Sequence, residues 1–195
     1  MSKINVIHLG IVEYEYGYQE MKKIHSTAVQ SEENYLILCE HYDVYTVGQN
    51  EKEENFPVPV IKTDRGGSIT FHGLGQPIFY FVFKVESPKV FYKKVIKSFS
   101  EVFNLLSDKI YHDFKNPGFY VENRKIASLG FRYSKNYSLH GVAVNHSVDL
   151  DKFNLIKPCN LDGYSATSLI KEGINVDKEK FKSMVVESIL KNFSK

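Results

Sequence analysis

The sequence predicts an α+β domain in which helices pack on a mixed or largely antiparallel sheet. Three observations carry this reading. Three segments repeat apolar residues at intervals of three and four, which is the helical period. Several shorter segments alternate, or are apolar throughout, as strands do. The two kinds do not interleave in the regular β-α-β order of a parallel doubly wound sheet. No repeat, low-complexity tract or Pro/Gly/Ser-rich linker interrupts the 195 residues, so one domain spanning 1–195 is expected.

The elements follow in order. Residues 3–9 alternate as a strand. Tyr14, Tyr18, Met21, Ile24 and Ala28 form one helical face, although Gly17 weakens its first turn. Strands are expected at Tyr35–Cys39 and Val44–Val47, joined by a turn at His41-Tyr42-Asp43. Glu51–Asn55 reads as a charged loop, and Pro57 and Pro59 allow an edge strand at best. Ile69-Thr70-Phe71 precedes a glycine-punctuated loop and then Pro77–Val85, a run apolar on both faces, as in a strand buried within a sheet. Residues 88–106 predict an amphipathic helix with Phe91, Val95, Phe99, Val102 and Leu106 inward and Lys89, Lys93 and Lys97 opposite. Short strands are expected at Phe119–Val121, Lys125–Phe131 and Gly141–Val148. A last helix runs from about Asp177, its candidate cap, to Asn192, with Phe181, Val185 and Ile189 on the buried stripe.

Composition excludes several functions. Apolar residues are 43% and charged residues 25%, which fits a globular chain rather than a disordered one. No apolar run approaches the roughly 18 residues a membrane span needs, and the N-terminus lacks a signal-peptide pattern. The net charge of +2 provides no general field for nucleic acid. Two cysteines, Cys39 and Cys159, make neither a disulfide framework nor a four-cysteine zinc site, so a reducing cytoplasm is the expected compartment. The seven histidines show no metal-ligand spacing, so no metal is expected.

Three segments could carry chemistry. In Arg65-Gly66-Gly67-Ser68-Ile69-Thr70-Phe71-His72-Gly73-Leu74-Gly75-Gln76, glycines let the backbone approach a ligand closely, while Arg65 and His72 offer polar groups. Arg65 is one of only three arginines, and its forked guanidinium can do what the abundant lysines cannot. The loop reads equally as a pair of tight turns. It lacks both the phosphate-loop ending and the dinucleotide-binding spacing. Lys125 opens a strand of small and apolar residues, either as a strand-end amine reaching solvent or as a partly buried base. Cys159, in Lys157-Pro158-Cys159-Asn160, reads as a loop thiol suited to nucleophilic work, whereas Cys39 reads as core.

Together, certain motifs resemble one family. They are His41…Val44-Tyr45-Thr46-Val47-Gly48, the Arg65–Gln76 segment, Lys125-Ile126-Ala127-Ser128-Leu129-Gly130, Ser138–Asn145, Pro158-Cys159 and Thr167. In this order, over roughly residues 5–190, the chain is similar to the octanoyltransferases of lipoate biosynthesis, the lipoate-protein ligase B family. The resemblance implies an α+β fold shared with biotin and lipoate protein ligases. It implies a Cys159 acyl-thioester with Lys125 as partner. It places Arg65, Gly66, Gly67, Ser68, Ile69, Thr70, Phe71, His72, Ser128, Leu129, Gly130, Gly141, Val142 and Ala143 along the acyl substrate. No cofactor is implied. The donor would be octanoyl-acyl carrier protein. The acceptors would be lipoyl domains of 2-oxoacid dehydrogenase E2 subunits and the glycine cleavage H protein, with the enzyme a monomer. Two departures stand out: Leu74 where the family has proline, and Gln49 where it commonly has arginine. Phe79–Phe83 could wall an acyl tunnel or be plain core, and Lys89, Lys93, Lys94 and Lys97 could dock an acidic carrier or be solvated helix surface. An ATP-dependent ligase and a non-enzymatic lipoyl-domain binder remain the competing readings.

Overall fold

A computed structural model describes residues 3–51, 56–156 and 164–194. The expected α+β architecture is present. The chain opens with β1 (Ile4–Val12), α1 (Tyr14–Ser31), β2 (Asn34–His41) and β3 (Val44–Val47). It continues through β4 (Ile61–Lys62), β5 (Ile69–His72), β6 (Ile78–Val82) and α2 (Pro88–Leu106). Then follow β7 (Ile110–Asp113), β8 (Gly118–Val121), β9 (Arg124–Ser134) and β10 (Tyr137–Val144). The last are α3 (Leu150–Phe153), β11 (Ser165–Ala166) and α4 (Lys178–Phe193).

The main sheet has the order β1-β2-β6-β10-β9-β8-β7, with β11 added beside β9. Only β1–β2 and β9–β11 are parallel, and α1 makes the crossover that the parallel β1–β2 pair requires. A second sheet, β4-β3-β5, carries the glycine-rich loop on either side of β5.

Both faces of the main sheet are covered, and strict alternation along the central strands assigns each side chain to a face. On one face Leu36, Leu38, Phe79, Phe81 and Phe83 pack against Phe91, Val95 and Phe99 of α2 and Phe181, Val185 and Ile189 of α4. On the other, Ile37, Cys39, Ile78, Tyr80 and Val82 pack under Met21 and Ala28 of α1. The run Pro77–Val85 is apolar on both faces for this reason. The Phe79–Phe83 segment therefore divides: its phenylalanines build the α2–α4 core, and Tyr80 faces the other side.

Helix ends follow local chemistry. Ser87 caps α2 ahead of Pro88, and the Asp177 carboxylate accepts from the Lys180 amide at 2.8 Å, the cap expected for α4. Gly17 is tolerated in α1 because a Cβ there would lie 2.7 Å from the His41 ring. The helix thereby rests directly on β2.

Some boundaries differ from expectation. β2 runs through His41, where a turn was expected, because His41 Nδ1–H donates to the Val12 carbonyl at 3.0 Å and its other nitrogen meets the Tyr80 hydroxyl at 2.8 Å. The short strand near the prolines begins only at Ile61, and β10 begins at Tyr137 and ends at Val144. β7, α3 and β11 have no clear sequence signal. They exist through pairing and packing, which override weak local propensity in short segments. Of the charged loop expected at 51–55, residues 52–55 lie outside the described residues.

Candidate active site

The site begins with the loop before β5. The Arg65 Nη2 donates to the Thr46 carbonyl at 2.8 Å and to Thr46 Oγ1 at 3.0 Å, and Nη1 donates to the Gly66 carbonyl at 3.0 Å. The fork anticipated from the sequence thus secures the loop to β3. One residue on, the Gly66 amide donates to the Phe131 carbonyl at 3.1 Å. This docks the loop on the edge of β9 beyond Ser128, where pairing with β8 stops at Gly118.

Beneath the loop is a cavity of about 520 Å³. That is within the range of about 300–1,000 Å³ typical of small-molecule sites. Arg65 to Thr70 and His72 line it from the loop and β5, and Lys125 and Ser128 to Gly130 from β9. Gly141, Val142 and Ala143 line it from β10. Phe71 alone of the anticipated loop residues is absent from the lining, sharing a buried cluster with Ile69 on the same face of β5. Strand alternation directs it into the cluster with Phe153 and Ile156, its ring 5.9 Å from that of Phe153. Cys159 lies outside the described residues.

Lys125 is not a solvent-reaching strand-end lysine. It is only 3% exposed, its Nζ donates to the Pro117 carbonyl at 3.2 Å, and it lies 5.5 Å from the centroid of the Tyr120 ring. β11 pairs with the start of β9, Ala166 opposite Lys125, so Tyr164 arrives five residues after Cys159 with its ring against Tyr120.

Sequence reasoning missed a polar end of this cavity. Tyr14, Tyr80 and His140 line it. The sequence marks Tyr14 only as a helix-face residue. It sets Tyr80 in the segment that could wall a tunnel and His140 in the Ser138–Asn145 motif, neither with a role of its own. Tyr14 stacks on His72 at 6.0 Å between centroids, and Tyr18 stacks on His140 at 5.7 Å. Tyr14 and Tyr18 recur at helical spacing, so they read as core. Only their clustering with histidines in space shows otherwise. At the other end, Tyr92 of α2 and Lys115 to Pro117 of the β7–β8 turn also contribute, where no local motif marks them.

Burial sets the charge states here. It pushes the His72 imidazole down to about 3, helped by nearby His41, and pushes His41 down to about 4. It raises the Tyr14 phenol to about 12 and holds Tyr80 well above its ordinary value. His140 Nε2–H donates to the Asp64 carboxylate at 2.6 Å. Arg132 and the Tyr18 hydroxyl also donate to Asp64. The bond from His140 holds Asp64 far below the usual carboxylate range, while burial keeps His140 itself below its ordinary value. Asp64 is therefore an ionised anchor in the loop, held by two neutral rings and the Arg132 guanidinium. His140 adopts a left-handed φ of 63°, backbone strain that this anchor sustains.

Among the described residues, no three His, Cys, Asp or Glu side chains are arranged for a metal, and no helix is long and apolar enough to cross a membrane. On α2, Lys89, Lys93 and Lys97 are exposed, with Lys97 3.8 Å from Glu101, while Lys94 turns onto the Phe193 ring.

The mixed sheet and its packed helices form an α+β fold of the kind seen in solved lipoate and biotin protein ligases. The fold of P. falciparum LipL1, solved in complex with lipoate, matches at a TM-score of 0.75 and 15% identity over 98% of this chain and 63% of that one. Biotin protein ligase from Aquifex aeolicus matches at 0.54 and 15%, covering 100% and 70%. The family model described as the lipoyl protein ligase A/B catalytic domain matches residues 14–190. The octanoyltransferase of Wigglesworthia glossinidia brevipalpis is 35% identical over 98% of this chain and 92% of its own length. The chain belongs to the lipoyl protein ligase A/B family, and relatives of this kind make it an acyltransferase.

Proposed function

We propose that the enzyme moves an octanoyl or lipoyl group from acyl carrier protein to the lysine of lipoyl domains, through a thioester on Cys159. The observation that best supports this is the buried Lys125 side chain in the cavity wall, one strand pairing away from the chain that follows Cys159.

A cysteine acts as its thiolate, which is scarce for an ordinary thiol near pKa 8.5. The Lys125 ammonium stabilises that thiolate. Cys159 attacks the acyl carbonyl, the old carbon–sulfur bond breaks, and the acyl group passes to Cys159, while the Lys125 ammonium gives its proton to the departing carrier thiolate and is left neutral. The amine of the acceptor lysine then attacks the new thioester. The amide forms, the Cys159 thiolate leaves, and neutral Lys125 takes the proton released by the amine. No nucleotide is consumed, because the donor is already activated. Acceptors are the lipoyl domains of 2-oxoacid dehydrogenase E2 subunits and the glycine cleavage H protein, and the enzyme works as a cytoplasmic monomer. The exposed lysines of α2 face an acidic carrier.

Mixing the enzyme with octanoyl-acyl carrier protein and recording its intact mass tests the proposal. One octanoyl adduct, labile to hydroxylamine and absent from Cys159→Ala, is expected. Burial holds the Cys39 thiol far above its ordinary value, so Cys39 stays unmodified. An adduct at Cys39, or full activity of Cys159→Ala, overturns the mechanism. Turnover of free octanoate with ATP, without the carrier, establishes the ligase reading instead.

A further inference from the structure

Behind the cavity wall runs a chain of buried amides that no step above uses. Asn145, 2% exposed, follows β10. Its Nδ2 donates to the Thr167 carbonyl at 2.9 Å and to the Lys125 carbonyl at 3.4 Å. Its Oδ1 accepts from Gln76 Nε2 at 2.9 Å. Gln76, 1% exposed, also donates to the Phe71 carbonyl at 3.1 Å, and its Oε1 faces His72 Nδ1 at 2.7 Å. The Asn145 backbone is equally committed: its amide donates to Ile126 O at 2.8 Å and its carbonyl accepts from Leu169 N at 2.8 Å.

The polarity of this chain is fixed by its ends. Backbone carbonyls only accept, so Thr167 and Lys125 compel Asn145 to present Nδ2 to them and Oδ1 to Gln76. The Phe71 carbonyl compels Gln76 to present Nε2 in turn. Gln76 Oε1 can then only accept, and the proton of neutral His72 must sit on Nδ1. The tautomer of a cavity-wall histidine is thus set through Gln76 by the carbonyls of Phe71, Thr167 and Lys125, and Nε2 is left as the ring's acceptor nitrogen. The same asparagine grips the backbone of Lys125, whose carbonyl already accepts from the Thr167 amide at 2.9 Å.

We infer that Asn145, acting with Gln76, is a positioning residue that holds Lys125 and His72 in one register across the cavity. It touches no reacting atom. Its work is to keep the Lys125 backbone where the buried ammonium reaches the nucleophile, and to hold His72 in one tautomer. This inference rests on the proposed role of Lys125.

Asn145→Asp keeps the shape and removes both donors. The alkylation rate of Cys159 against pH, measured for wild type, Lys125→Met and Asn145→Asp, tests the inference, together with kcat and KM for octanoyl transfer. The expected result for Asn145→Asp is a thiol profile displaced towards that of Lys125→Met. kcat should fall roughly tenfold to a hundredfold with KM little changed, as when a buried bond is lost leaving its partner unpaired. Gln76→Glu is the second variant. Its carboxylate can receive only donors, so it turns the Asn145 amide over and should give the same displacement from a position remote from Lys125. If both variants fold and keep the wild-type thiol profile while Lys125→Met does not, the inference fails and the mechanism stands. If Lys125→Met itself is unchanged, the mechanism fails. Should Asn145→Asp not fold, Gln76→Glu alone decides between these outcomes.

Discussion

Replacing Arg65 by lysine preserves charge and nearly preserves length, so it isolates the forked geometry. The guanidinium makes three short bonds of 2.8–3.0 Å to Thr46 and Gly66 from its two Nη atoms, beside a longer one of 3.4 Å from Nε to Thr46 Oγ1, in a site 9% exposed. A single ammonium nitrogen cannot span these acceptors. It retains one, leaving two charge-assisted bonds unmade, each worth about 1.5–3 kcal/mol. Two such bonds amount to roughly 3–6 kcal/mol, and the lower end, about 3 kcal/mol, is taken as the expected loss. For a chain of this size that lowers the melting temperature by about 6–12 °C. The loop these bonds hold forms the cavity roof, so KM for the acyl donor should rise as well. Thr46→Val removes only the hydroxyl acceptor and should cost about 1 kcal/mol. Combined with Arg65→Lys, it should add little, because both changes break the same bond. Thermal melts of the four proteins followed by circular dichroism supply the test. A melting temperature for Arg65→Lys within about 2 °C of wild type would refute the stapling argument.

Stability should also fall on mild acidification, since His41 and His72 titrate near 4 and 3 in the fold but near 6.5 when unfolded. Below pH 6.5 the unfolded chain binds protons the native state refuses, which lowers stability by roughly 1.4 kcal/mol per pH unit for each imidazole down to about pH 4. A melting temperature that stays flat between pH 6.5 and 5 would show these rings to be hydrated. At Gly141, a Cβ would lie 1.8 Å from the Phe79 carbonyl, so Gly141→Ala must force β10 away from β6. A loss above about 4 kcal/mol, or failure to fold, is expected, and a wild-type melt would contradict the close strand approach.

Much of the fold was legible because its long elements carry strong periodicity. Phe91, Val95 and Phe99 define α2, and Phe181, Val185 and Ile189 define α4, without reference to anything distant. Pro77–Val85 announced a doubly buried strand. Short elements gave no such signal: β11 is two residues long and exists because Ala166 meets Lys125. The loop from Arg65 to His72 and the segment after Lys125 were legible as motifs, whereas their contacts were not. For Arg65, composition reveals a fork and not its partners, Thr46 and Gly66. Lys125 looked ambiguous because burial depends on Pro117 and Tyr120, which meet it through folding. The polar end was illegible because it draws Tyr14, Tyr80 and His140 from three elements, and its strain at His140 has no counterpart in residue type.

The alternation along β6 places a limit on how this protein can diversify. Ile78 and Tyr80 are the cavity floor, and Phe79 and Phe81, between and beyond them, are the centre of the opposite core. Interiors are packed densely enough that a shift of one strand face is felt on the other. A lineage adapting to acyl groups of another shape therefore has little room to remodel the floor without unsettling α2 and α4. The side wall at Lys115 and Asn116 instead lies in the turn between β7 and β8, outside both hydrophobic cores, with Lys115 exposed. Selectivity in this architecture is free to drift at that side wall, while its floor is inherited with the fold.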